Sequence, residues 1–122
     1  MQLLRSWFIP DLVTVSEGNS THHYRKKHIR HLLQAREVKK HVRPHGDEMP
    51  CIIKMIRIAP RALDFHDNLP YSMKFLVDAI ADILIPGKPL GQADNDPRLQ
   101  WTYGQEKGKP KEYSVRIEVW KE

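Results

Sequence analysis

Cysteine is nearly absent from this chain of 122 residues: Cys51 stands alone. One thiol excludes an internal disulfide and suits a reducing cytoplasm. Its place at the head of the apolar run CIIKMIRI marks it as a small buried hydrophobe. No apolar stretch approaches the roughly 20 residues that a membrane helix needs. The opening segment MQLLRSWFIP carries no signal-peptide cleavage pattern. Internal repeats, low-complexity tracts and long linkers are also missing, so the chain reads as one soluble domain around one core.

What is present in excess is positive charge, and it is concentrated. The formal net charge is +5. Residues 22–45 hold eight Lys or Arg and one acid, Glu37, whereas the remainder is mildly acidic. A basic segment beside a nearly neutral body suits a polyanion, with nucleic acid first. The same segment holds His22, His23, His28, His31, His41 and His45. His28 and His31 could meet on one helical face, but spacing fixes no third ligand, so phosphate-facing or solvated histidines are the expected reading.

The pattern predicts six elements. Residues 2–9 read as a strand stopped by Pro10. A helix is expected over 24–42, where Ile29, Leu32 and Leu33 share a face and Ala35, Val38 and Val42 drift from it. Residues 51–59 form a near-continuous apolar run, as a central strand does. A second helix is expected from 68 or 69 to about 85, stopped by Pro86-Gly87. Leu69, Met73, Leu76, Val77, Ile80, Ile83 and Leu84 recur on one face, with Lys74, Asp78 and Asp82 roughly opposite. Residues 98–105 and 112–120 read as a hairpin joined by the basic loop EKGKPK. The order β-α-β-α-β-β predicts a small α/β (α+β) domain, a mixed sheet of about four strands with helices packed on it.

Acids gather around the second helix. Asp64, Asp67 and Asn68 stand at its mouth, at the end of a central strand, a usual place for ligand chemistry in such sheets. Asp94 and Asp96 follow it in a loop. Carboxylates brought together repel unless a cation lies among them, and oxygen ligands select Mg²⁺ or Mn²⁺. The plainer account makes Asp67 a helix cap, Asp94-Asn95-Asp96 a turn, and Lys74–Asp78 a surface pair worth a few tenths of a kcal/mol.

The succession D-F-H-D-N-L (64–69), K-x-x-x-D-A-I (74–80) and D-N-D-P-R-L (94–99), closed by two strands, resembles the RusA family of Holliday junction resolvases. The resemblance implies a Mg²⁺-dependent, homodimeric endonuclease (Mn²⁺ as substitute) that cuts four-way DNA junctions. By that likeness Asp64, Asp67 and Asp96 hold the metal, with Asp94 the alternate to Asp96, and Lys74 stabilises developing charge. Asn68 and Asp78 support them. Arg25, Lys26, Lys27, Arg30, Lys39 and Lys40 would meet DNA, helped by Lys107, Lys109 and Lys111. Two spacings depart from the family. Two residues separate Asp64 from Asp67 where one is usual, and Lys74 follows Asn68 by six positions where three is usual. The alternative is a non-catalytic nucleic-acid-binding protein on the same scaffold.

Overall fold

The computed structural model describes residues 1–14, 24–43, 49–63, 68–89 and 92–121, with backbone only at Tyr24 and Arg25. The first strand, β1 (Gln2–Ile9), is followed by helix α1 (Tyr24–His41) and strand β2 (Cys51–Ala59). Helix α2 (Asn68–Leu84) and a short 3-10 turn (Ala93–Asn95) lead to β3 (Leu99–Lys107) and β4 (Ser114–Lys121). The mixed four-stranded sheet and two helices agree with the expected class.

The strand order is β1-β4-β2-β3. β2 and β3 run parallel, joined through α2, because parallel neighbours need a long crossover. β4 runs antiparallel to both β1 and β2. The expected hairpin of β3 and β4 does not form, since β2 lies between them. β2 is buried at Cys51, Ile53, Met55, Ile56, Arg57 and Ala59, and it is hydrogen-bonded on both edges, to β4 and β3. The basic loop instead steps over the end of β2, where Gly108 N donates to Ala59 O at 2.9 Å.

The core lies between the helices and one face of the sheet. Ile53, Met55, Val115, Ile117 and Val119 supply the sheet side, and Met73, Leu76, Val77 and Ile80 the α2 side. The amphipathic pattern of α2 therefore does what its sequence says, and it leaves Lys74 exposed. In α1 the pattern misleads. Gln34 and Val38 are its buried residues, with Val42 just past its end, while Ile29, Leu32 and Leu33 are each more than half exposed. Gln34 keeps one side-chain hydrogen bond inside, its Nε2 donating to Val13 O at 3.1 Å, while its Oε1 has no partner among the described residues.

Candidate active site

The crossover β2–α2–β3 opens a cleft of about 340 Å³ beside the sheet. Pro70, Tyr71, Lys74, Val77 and Asp78 line it from α2, Asp94 from the 3-10 turn, and Tyr103 from β3. Lys74 and Asp78 are one turn apart on the polar side of α2, so they face the cleft together. Asp94 reaches it because the 3-10 turn ends the loop after α2, and Trp101 Nε1 donates to Asp94 O at 3.1 Å.

Asp78 and Asp94 line the same cleft, where the charge of Asp94 acts on Asp78. Burial, then the Asp94 charge, pushes the Asp78 carboxyl above its ordinary value; Asp82 adds to the rise and Lys74 opposes it. Burial and the same two acids also raise the Tyr103 hydroxyl. Asp94 Oδ1 is buried without a hydrogen-bond partner among the described residues. Asp78 and Asp94 bring carboxylate oxygens to the cleft, and Lys74 brings a positive charge beside them. Among the described residues no group of three or more His, Cys, Asp or Glu stands ready to hold a metal.

Of the two loop acids that the sequence leaves as alternates, Asp94 lines the cleft. Asp96 is nearly buried and held elsewhere. Its Oδ1 accepts from Arg98 N at 2.9 Å and Nε at 3.0 Å. Its Oδ2 accepts from Arg98 Nη2 at 3.0 Å and from Lys88 Nζ at 2.9 Å. These contacts, Arg98 first, hold its carboxyl well below the usual range. Asp96 thus orders the turn into β3, its backbone O accepting from Leu99 N at 3.0 Å.

Asp64 and Asp67 lie outside the described residues, as does the Arg25 side chain. Asn68 opens α2. On α1, Lys26, Lys39 and Lys40 are exposed and Lys27 and Arg30 half-buried. His31 stacks on Phe75 of α2, ring centroids 3.9 Å apart and planes 11° from parallel, so it serves the helix–helix contact. Tyr103 escapes a reading by sequence pattern. Its signal is its place between Trp101 and Gln105 in a strand that alternates inward and outward. Among the described residues no helix is long and apolar enough to cross a membrane. Compared with family models, curated proteins and solved structures, the chain matches none.

Proposed function

We propose that the cleft is the active site of a divalent-cation-dependent DNA endonuclease, with four-way junctions as the substrate that the RusA resemblance favours. The observation that carries this reading is that Asp78, Asp94 and Lys74 line one cleft, with one Asp94 oxygen buried and unpartnered among the described residues. Two carboxylates in one cleft repel unless a proton, the neighbouring lysine or a cation offsets their charge.

Asp94 and Asp78 would hold the cation, with Asp64 and Asp67 as the further ligands that the sequence nominates. When bound, Mg²⁺ activates water and shields the scissile phosphate. The Lys74 ammonium meets the charge that develops on the phosphoryl oxygens. Asp96 orders the turn that presents Asp94. Tyr71, half exposed at the rim, offers a face for a sugar or base. The basic surface of α1 supplies phosphate contacts, and a homodimer would give a two-fold branched substrate one cleft per cut strand.

The test is cleavage of a four-way junction in Mg²⁺ by wild type, Asp94→Asn and Asp78→Asn, with junction affinity measured in EDTA. The expected result is loss of cleavage in Asp94→Asn, with affinity equal or higher. Cleavage by Asp94→Asn at the wild-type rate overturns the site. A wild-type protein that binds junctions and cuts none in Mg²⁺ or Mn²⁺ leaves a non-catalytic binder.

A further inference from the structure

Helix α1 turns its large aliphatic residues to solvent. His31, which stacks on Phe75, and the buried Gln34 and Val38 hold the side that meets the rest of the domain. Ile29, Leu32 and Leu33 lie outside, each more than half exposed. With Arg36 they follow the spacing i, i+3, i+4, i+7, so they form one apolar strip that ends in a cation. Contiguous apolar patches rimmed by charge mark protein–protein contacts.

Beside the strip, a groove of about 540 Å³ runs between the two helices. Ala35 and Lys39 line it from α1, and they continue a line that starts at Leu32, with spacing i, i+3, i+7. Phe75, Ala79 and Ile83 line it from α2 at spacing i, i+4, i+8. Asp78 and Asp82 run parallel to them as an acidic row. The floor is thus apolar, and two carboxylates outnumber Lys39. That sign repels phosphate, so the groove is no seat for DNA. It suits an amphipathic helix with aliphatic anchors one turn apart and a cation beside them. The α1 helix of a second copy is such a helix.

We propose that strip and groove are the two halves of a homodimer contact: Ile29, Leu32 and Leu33 of one protomer seat in the groove of the other, and Arg36 meets the partner's Asp82. Strip and groove lie side by side, so one two-fold axis between them serves both contacts. That repetition doubles what one strip and one groove bury, towards the roughly 1,200–2,000 Å² of a stable interface. Asp78 lines the groove and the cleft alike, so the two clefts of the dimer would flank the contact.

Dimerisation is measured by sedimentation equilibrium in EDTA without DNA, and folding by circular dichroism. Leu32→Glu places a charge in the strip at an exposed position, so the fold should persist while the dimer weakens at least about 10-fold. Arg36→Asp and Asp82→Lys each set like charges against one another twice per dimer, and each should also weaken it by about 10-fold or more. Both reversals in one chain restore opposite charges at both contacts. That double variant should dimerise within about 3-fold of wild type. If Asp82→Lys does not fold, Leu32→Glu and Arg36→Asp carry the test. A wild type that stays monomeric overturns the proposal and leaves the groove to a different protein. Dimerisation unchanged by Leu32→Glu overturns it too. A double variant that dimerises no better than its folded single variants also overturns it, because the strip then seats elsewhere. Oligomeric state is read without DNA or divalent cation, so failure here leaves the chemistry proposed for the cleft standing, and failure of that chemistry leaves the dimer standing.

Discussion

Asp94→Asn should make the metal-free protein more stable while abolishing its response to Mg²⁺. The substitution preserves shape and removes one of two negative charges that share the cleft. Two unit charges about 5 Å apart repel by roughly 1.5–3 kcal/mol at effective dielectrics of about 20–40. The pair is partly open to solvent and Lys74 lies beside it, so about 1 kcal/mol of net relief is a fair expectation. With an unfolding entropy of about 2 cal/mol/K per residue, 1 kcal/mol moves Tm by about 4 °C in a chain of 122 residues. The sign of the pH dependence follows from Asp78, whose folded-state value is raised. Wild type therefore has its full stability below the ordinary carboxylate value and loses some as pH rises through the raised value. The advantage of Asp94→Asn should be small in acid and grow towards neutral pH. Mg²⁺ at ten times its Kd should raise the wild-type Tm by about 5 °C, through about 1.4 kcal/mol of linkage, and leave the variant unmoved. Melts with EDTA and with Mg²⁺ across pH 4–8 check all three statements. A variant that melts below wild type in EDTA at pH 7 refutes the reasoning, because Asp94 would then stabilise the apo fold.

Further outcomes follow from other residues. Lys74→Ala should slow junction cleavage by about 10- to 100-fold, a loss of about 1.4–3 kcal/mol of transition-state stabilisation, while junction affinity falls only modestly; single-turnover rates and EDTA binding separate the two. Asp96→Asn should keep Mg²⁺-dependent cleavage, because Asp96 orders a turn. It should melt lower than wild type at neutral pH, a deficit that closes as pH falls and wild-type Asp96, its value depressed, loses the ion pairs to Arg98 and Lys88. Replacing Lys26, Lys39 and Lys40 together with alanine should flatten the log–log salt dependence of DNA binding by up to about 0.9 for each phosphate that is no longer neutralised. Ile80→Ala, at a position with no exposure, should cost about 2–5 kcal/mol in denaturant titrations.

Local signals read well in this chain, and long-range ones do not. The strands at 2–9 and 51–59 fall where alternation and the apolar run put them, and α2 ends one residue before the predicted stop. The pairing of β4 with β2 is not legible, because a short basic loop looks the same whether it turns a hairpin or steps over a strand. The buried face of α1 misleads for a similar reason. Ile29, Leu32 and Leu33 cluster more tightly than Gln34, Val38 and Val42, yet the sheet and α2 select the face that fits them. Lys74 and Asp78 are readable as a polar row on an amphipathic helix. The choice between Asp94 and Asp96 depends on where Lys88 and Arg98 lie in space, which spacing does not encode.

The strand order carries a consequence for biosynthesis. Gln2 pairs with Lys121, and both β1 and β2 take β4 as a neighbour. The strand that joins the two halves of the sheet is therefore the last of the described strands to leave the ribosome. Pairings that span nearly the whole chain make for slow, late folding. Until β4 is made, β1 has no partner and β2 lacks one edge, so the sheet against which α2 packs is incomplete. A stalled or truncated chain would thus carry the basic helix without an ordered cleft. The cleft therefore gains its complete sheet only once β4 has been made.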